Sequence, residues 1–284
     1  MAHINDLKKE IEEKYGVLPK GIVEDIYKRA GEREVRRINW LKGRDERSKM
    51  FDSFGGFHFN SYEDVLQLKM RKQFLTRFIF VCTNMNYNNK VVFGKAKGEE
   101  KLAKEKDLQE ILMLSEAETR RTKKALIENN LIIIEKDKTI LVNKKFAVRG
   151  EIEERILLRS VKIMRDGVQE IYKEAKPTEH TKLALLFELL PYVNFKHNII
   201  CRKPKEEDIT KVEAFTLYEL AQLFNVNQTR LKNELFKIKV GGEDAVGLFT
   251  RSNSVHIYIN PRIYYKGNDK ENYCWVSQAF KVKQ

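Results

Sequence analysis

The chain has 284 residues, 54 of them Lys or Arg and 41 Asp or Glu, so its formal net charge is +13 at neutral pH. This length exceeds one ordinary domain, and the positive balance attracts polyanions. Three widely spaced cysteines argue against a disulfide scaffold. The sequence has no apolar run of about 18 residues and no basic segment followed by an apolar one at its N-terminus, so we predict neither a membrane span nor a secretion signal. We therefore expect a cytoplasmic protein.

The middle of the chain recurs, in order, in its C-terminal half. Residues 86–92 match 194–200, residues 108–126 match 217–235, and residues 142–150 match 259–267. Collinear matches over three blocks indicate an internal duplication, with one inserted residue before the second block and more before the third. We call residues 61–150 the first repeat and residues 179–284 the second repeat.

Residues 1–60 are densely charged, with apolar residues at helical spacings such as Ile4, Leu7 and Ile11. They are predicted to form a helical extension that ends in a glycine-containing loop at residues 53–56. The extension could be an arm for oligomerisation or for docking a partner, or it could pack against the first repeat.

The first repeat has the element order of a helix-turn-helix followed by a hairpin. Its predicted elements are a buried helix at 65–85, a short strand at 91–93, a charged loop at 94–100, a second helix at 107–114, a third helix from Ser115 to about residue 129, and a hairpin of residues 131–134 and 139–142. Ser115 and Glu118 have the spacing of a capping box at the start of the third helix. A hairpin directly after such a helix is typical of a winged helix.

Residues 151–178 are predicted to be a linker, with a helix over 152–175 that ends before Pro177 and separates the repeats. The second repeat shows the same order as the first: helices at 181–192, 216–224 and 227–237, a short extended segment at 198–200, and a larger wing of strands 246–249 and 255–259. The expected fold class is mainly α with small β-hairpins (α+β), with two tandem winged-helix domains after the N-terminal helical extension.

The third helix of a helix-turn-helix presents polar side chains to base edges in the major groove of double-stranded DNA. In the second repeat these candidates are Gln228, Thr229, Arg230, Lys232 and Asn233. In the first repeat they are Thr119, Arg120, Arg121 and Lys124. We expect direct readout from the second repeat, because Glu116 and Glu118 in the first would repel phosphates unless they cap the helix.

The wings supply candidates for phosphate or minor-groove contacts. They are Lys136, Lys138, Lys144, Lys145 and Arg149 in the first repeat, and Arg251, Asn253 and Arg262 in the second. Taken singly, each of these residues could equally be an ordinary exposed side chain of a hydrated helix or hairpin. Asn143 and Asn260, which precede the basic residues, are predicted to make structural turns, and Gly150 and Gly267 to let the chain leave each wing.

Catalytic patterns are absent from the sequence. Its five histidines are scattered, it has no Cys-x-x-Cys pair, and its tyrosines lack companions that would activate them. We therefore predict no catalytic residue, metal ligand or cofactor, and a protein that is not an enzyme.

Several strings of the second repeat resemble winged-helix proteins from plasmids and phages of Gram-positive bacteria. They are LLPYVN at 189–194, NIIC at 198–201, TLxEL at 216–220 and INPRIYYKG at 259–267. The last string is similar to the wing ending of RepL-type plasmid replication proteins. The paired arrangement resembles theta-type plasmid initiators with two winged helices on one chain, although transcription factors of the MarR kind also use winged helices.

The resemblance covers about residues 65–267 and implies binding to an origin or an operator. We expect a sequence-specific protein that binds double-stranded DNA, as a replication initiator or a transcriptional regulator of a phage or plasmid. A homodimer or a contact with the replication or transcription machinery could form through residues 1–60. The alternative is a protein-interaction scaffold in which the winged helices bind other proteins.

Overall fold

The computed structural model describes residues 56–61, 64, 65, 68, 70–96, 99–150, 160–251, 254–265, 267 and 270–282. Nearly all of the predicted N-terminal extension lies outside this part of the chain. Residues from Ser53 to Gln284 form one compact unit. Its fold is α+β, with helices and small antiparallel sheets.

The elements up to residue 148 are, in chain order, β1 Phe57–Ser61, α1 Lys72–Thr83, β2 Val92–Ala96, β3 Glu99–Leu102, α2 Leu108–Leu112, α3 Glu116–Glu128, β4 Ile132–Ile134, β5 Ile140–Val142 and β6 Ala147–Val148. A 3-10 turn, Glu105–Asp107, precedes α2. The predicted third helix and the hairpin after it are confirmed, with Ile132 opposite Val142 and Ile134 opposite Ile140.

Two predictions for the first repeat were wrong. Helix α1 begins at Lys72 rather than near residue 65, because the chain turns at Met70, whose backbone N–H bonds the Leu68 carbonyl. The predicted charged loop at 94–100 lies instead within the β2–β3 hairpin, with Ala96 opposite Glu99. Backbone pairing does not require apolar side chains, so the charged composition concealed these strands.

The remaining elements are β7 Ser160–Met164, α4 Arg165–Glu174, α5 His180–Leu189, α6 Leu217–Leu223, α7 Gln228–Leu235, β8 Lys239–Val240, β9 Glu243–Asp244, β10 Val246–Arg251, β11 Ser254–Ile259 and α8 Lys270–Val282. The three predicted helices of the second repeat are confirmed, although the first ends in a 3-10 turn, Leu190–Tyr192. The predicted hairpin after α7 is confirmed as well, with Val246 opposite Ile259. We call the hairpins β4–β5 and β10–β11 the first and the second wing. The β8–β9 hairpin and helix α8 were not predicted.

The predicted linker helix was wrong in its middle section. Residues 151–159 lie outside the described part, and residues 160–164 form strand β7, so the helix begins only at Arg165. Strand β7 pairs with β1, which also pairs with β6, in a three-stranded antiparallel sheet. All five β7 residues are buried. Pairing with strand β1, which lies about 100 residues earlier in the chain, decided this conformation, and no local pattern shows such a partner.

The two repeats share a continuous apolar core. Helix α1 packs against α4 and α5, α3 packs on α1, and α7 packs on α5. Ten consecutive residues of α1, Phe74 to Thr83, are buried, so this helix is covered on all sides rather than along one stripe. The repeats are therefore in direct contact, and the linker does not act as a spacer between them.

Candidate nucleic-acid interface

The same buried asparagine holds the base of the wing in each repeat. Asn89 has φ 61° and Asn198 has φ 58°, a left-handed conformation that asparagine tolerates better than most residues. The Asn89 Nδ2 donates to the carbonyls of Val142 and Ala147, and the Asn198 Nδ2 donates to those of Ile259 and Tyr264. The sequence repeat pairs Asn89 with residue 197, whereas the shared hydrogen bonds pair it with Asn198. The one residue inserted in the second repeat therefore lies within the turn before Asn198.

A second pair of asparagines shapes the end of each wing. The Asn143 Oδ1 accepts from the backbone N–H of Lys145, and the Asn260 Oδ1 accepts from that of Arg262. Each side-chain amide also donates to a backbone carbonyl before the wing, that of Asn130 or of Asp244. The predicted structural role of both asparagines is confirmed, and the two repeats share this wiring.

Helix caps position helices α6 and α7 of the second repeat. Thr216 caps α6 through a complete capping box: its Oγ1 accepts from the Glu219 N–H, and the Glu219 carboxylate accepts from the Thr216 N–H. Asn227 caps α7, where its Oδ1 lies 2.8 Å from the Thr229 nitrogen. Leu231 and Leu235 face the core, which directs the other side of α7 to solvent.

The outer face of α7 carries all five candidate residues predicted for it, and all are exposed: Gln228, Thr229, Arg230, Lys232 and Asn233. Arg230 pairs with Glu234, its Nε lying 2.8 Å from Oε1. Within the described residues, the side chains of Gln228, Lys232 and Asn233 have no ion pair or hydrogen bond. This face therefore presents amide and cationic donors that are available to a ligand.

The corresponding face of α3 differs, because its cations are paired with glutamates of the same helix. Arg120 bonds Glu116, Arg121 bonds Glu118, and Lys124 lies 3.7 Å from Glu128. Thr119 is only 8% exposed and cannot contact a ligand without a structural change. The charge that α3 presents to solvent is thus largely balanced.

Only half of the predicted capping box forms at α3. The Ser115 hydroxyl accepts from the Glu118 backbone N–H, 3.3 Å away. The Glu118 carboxylate binds Arg77 and Arg121 instead of returning to Ser115, and these contacts hold the pKa of Glu118 below its usual value. Glu118 is therefore ionised, with its charge shared between two arginines.

The first wing exposes four of its predicted lysines, Lys136, Lys138, Lys144 and Lys145. The Lys138 Nζ lies 3.7 Å from Glu105, and the Lys145 Nζ lies 3.6 Å from Asp64. Both are long, solvent-exposed pairs that contribute little and are easily exchanged for another anion. The first wing therefore keeps a cationic surface.

Arg149 and Arg262, which the sequence suggested as wing contacts, have structural partners. Arg149 donates to the Met85 carbonyl and lies over the ring of Tyr87, 4.6 Å from its centroid. Arg262 pairs with Glu170, 3.5 Å away. Arg251 ends strand β10, and Asn253 lies outside the described residues. The second wing is covered by α8 on one face, where Phe280 packs edge-on against Phe249.

Sequence analysis did not single out Arg77, a charged residue inside the buried, largely apolar stretch of α1. It is buried, and its guanidinium bonds Glu118 and Thr122 of α3 and His180 of α5. A lone arginine in an apolar helix was the available signal. Its partners lie between 41 and 103 residues away, so only the folded chain identifies them.

Among the described residues, no group of three or more His, Cys, Asp or Glu side chains is placed to hold a metal ion. Burial lowers the pKa of His58 to about 3 and that of His180 to about 4.

Over the described residues, no helix combines the length and apolarity needed to cross a membrane. Comparison of the chain with protein-family models, curated proteins and solved structures found no match.

Proposed function

We propose that this chain is a sequence-specific protein that binds double-stranded DNA through two tandem winged helices. The observation that carries the proposal is the outer face of α7, which holds amide and cationic side chains on a capped helix of a helix-turn-helix. Gln and Asn can form two hydrogen bonds with adenine, and Arg can form two with guanine. The net charge of +13 supplies the attraction to phosphates.

The packing of the helices supports simultaneous use of both repeats. Helices α3, α1, α5 and α7 pack in succession, and neighbouring packed helices have axes about 8–10 Å apart. The axes of α3 and α7 are therefore no more than about 30 Å apart, within one turn of B-DNA at about 34–36 Å. Two helices held at this separation can reach neighbouring major-groove segments of a single duplex.

The two repeats would contribute differently. Helix α7 would read bases, while α3, with its cations paired to glutamates, would add affinity together with the lysines of the first wing. This division extends the sequence expectation, in which the second repeat was the stronger candidate for readout. The unbalanced lysines Lys136 and Lys144 are suited to phosphates because they have no rigid base-reading geometry.

We infer a role as a replication initiator or transcriptional regulator of a phage or plasmid, acting in the cytoplasm without catalytic chemistry. The sequence resemblance described above supports this role. Direct repeats of the binding site beside the gene would favour initiation, since initiators assemble on arrays. An inverted repeat over a promoter would favour regulation.

A second function is favoured by the balanced charge of α3. Exposed apolar side chains lie near it, with Met113 49%, Ile127 39% and Ile133 45% exposed. A face of this composition suits a protein partner better than DNA, so the first repeat could serve as an interaction scaffold. In that case the second repeat alone would contact DNA, or neither would.

Selection of bound duplexes from a random-sequence pool tests the proposal directly. We expect the full chain to enrich one motif, to lose affinity steeply as salt rises, and to protect more than one helical turn from cleavage. Enrichment of no motif, with binding insensitive to salt, would reject DNA binding. Protection of a segment shorter than about half a turn would indicate that a single repeat engages DNA and would favour the scaffold role for the first.

A further inference from the structure

A buried polar cluster joins the third helix of the first repeat to the first helix of the second. Arg77 of α1 is 1% exposed. Its Nη1 lies 2.9 Å from Glu118 Oε2 and 2.8 Å from Thr122 Oγ1, both on α3, while its Nε lies 3.2 Å from His180 Nδ1 on α5. One guanidinium thus bonds two helices that belong to different repeats.

The protonation states of these groups suit the cluster. The Arg77 Nε–H donates to His180 Nδ1, so this ring nitrogen must be without a proton. Burial and the Arg77 charge lower the pKa of His180 to about 4, which keeps the ring neutral near physiological pH. Arg77 also lowers the pKa of Glu118, so the carboxylate is ionised and accepts from the guanidinium.

A second contact, centred on Tyr172, joins α4 to neighbouring helices. The Tyr172 ring of α4 stacks between Phe80 of α1, at 3.7 Å between centroids, and His180 of α5, at 4.4 Å. Its hydroxyl donates to the Leu112 carbonyl at the end of α2. Helix α2 is therefore tied to α4, as α3 is tied to α5 through Arg77.

The chemistry of Arg77 indicates a geometric role. Apolar contacts between α1 and α5 are non-directional and tolerate small sliding or rotation, whereas a planar guanidinium with three fixed acceptors does not. Burying a charge is costly, and replacing a buried ion pair with apolar residues is often neutral or stabilising. Stability alone gives little reason for an arginine at this position.

We propose that Arg77 is a positioning residue: by bonding α3 to α5, the helix on which α7 packs, it fixes where the first repeat contacts phosphates beside the site that α7 reads. This inference rests on the proposed function, because the position of α3 matters only if both repeats contact one duplex. Each base pair of B-DNA advances the duplex by about 3.4 Å and turns it by about 34°, so a small shift of α3 moves its contacts to other phosphates. A rigidly held α3 protects phosphates at one fixed distance from the α7 site, while a loosened α3 spreads its protection over several phosphates.

The experiment is hydroxyl-radical footprinting of the full chain on the duplex selected from a random pool. For the wild type we expect two protected segments, that of α7 and that of the first repeat, at one fixed separation. For Arg77→Met we expect the α7 segment to stay protected, while the protection from the first repeat weakens and spreads over neighbouring phosphates. The matched control is Lys72→Met, which removes the exposed Lys72–Glu188 pair between α1 and α5 and should leave the wild-type footprint intact.

A distance measurement tests positioning without DNA. Nitroxide labels at Glu128→Cys on α3 and Lys237→Cys beyond α7, with the exposed Cys274 replaced by Ser, report the separation by pulsed electron resonance. We expect one narrow distance in the wild-type background and a broader or displaced distribution in Arg77→Met. If Arg77→Met does not fold, Thr122→Val replaces it, since this substitution keeps the side-chain shape and removes one acceptor. We expect Thr122→Val to give an intermediate distance distribution.

The outcomes separate the two proposals. A folded Arg77→Met protein that keeps the narrow distance and the wild-type footprint overturns the positioning role, as does the same result for Thr122→Val when Arg77→Met is unfolded. Wild-type protection of the α7 segment alone also overturns it, while DNA binding stands. If the wild type selects no DNA, the proposed function fails, and the positioning role on DNA fails with it.

Discussion

Replacing the candidate base-reading side chains of α7 should weaken the preferred DNA site and leave other DNA largely unaffected. Arg230 is 61% exposed and bonds Glu234 one turn later. Such a pair on a helix surface contributes about 0.3–0.5 kcal/mol, whereas a bidentate contact to guanine contributes about 1–3 kcal/mol. The internal pair is therefore the weaker interaction, and DNA can displace it.

From these magnitudes we expect Arg230→Ala and Gln228→Ala each to lower affinity for the selected duplex by about 5- to 150-fold. Binding to a scrambled duplex should fall less, because Gln228 carries no charge and Arg230 is one cation among many. Glu234→Gln should raise affinity by about twofold, since it removes the competing acceptor. Competition fluorescence anisotropy at fixed salt measures all three effects.

The matched control is Arg121→Ala at the corresponding position of α3, where the guanidinium pairs with Glu118. We expect this substitution to change binding to the selected and scrambled duplexes by the same small factor. If both α7 variants keep the wild-type preference between the two duplexes, α7 does not read bases. If Arg121→Ala relaxes the preference instead, the readout belongs to the first repeat.

Three further predictions address the wing, the buried asparagine and the pH dependence. The double variant Lys136→Gln and Lys138→Asn should weaken binding to every sequence and lower the slope of log K against log salt by up to about 1.8. Asparagine is chosen at position 138 because it tolerates the φ of 69° there. An unchanged slope would mean that these lysines make no phosphate contacts. Asn198→Gly should reduce the free energy of unfolding by about 2–4 kcal/mol, because two buried carbonyls lose their donor. Asn198→Ala should reduce it by about 1 kcal/mol more, because alanine tolerates the φ of 58° at this position less well than glycine. Equal unfolding free energies of the two variants in urea denaturation would refute this. Because the pKa of His180 is lowered from 6.5 to about 4, its contribution to the free energy of unfolding is complete above pH 6.5 and falls by up to about 3 kcal/mol as the pH drops toward 4. An equal loss of stability in acid for His180→Gln, measured by unfolding curves, would contradict this.

Local signals explain which parts of the fold the sequence predicted. Helix α3 begins after Ser115, α6 after Thr216 and α7 after Asn227, and each cap forms a hydrogen bond within three residues along the chain. The hairpins after α3 and α7 follow from β-branched runs around short polar turns. The exposed face of α7 could also be predicted, because the buried leucines recur at helical spacing.

Sequence alone therefore determined the duplication, the positive charge, the order of the second helix, third helix and following hairpin in each repeat, and the outward residues of α7. Tertiary structure alone decided that residues 160–164 form a strand, because their partner is β1 near residue 60. It also decided that Arg77, Glu118 and His180 meet in one buried cluster, and that Arg149 stacks on Tyr87. Caps and periodicity act over a few residues, whereas these contacts join segments tens of residues apart, and burial fixes their partners only when the chain folds.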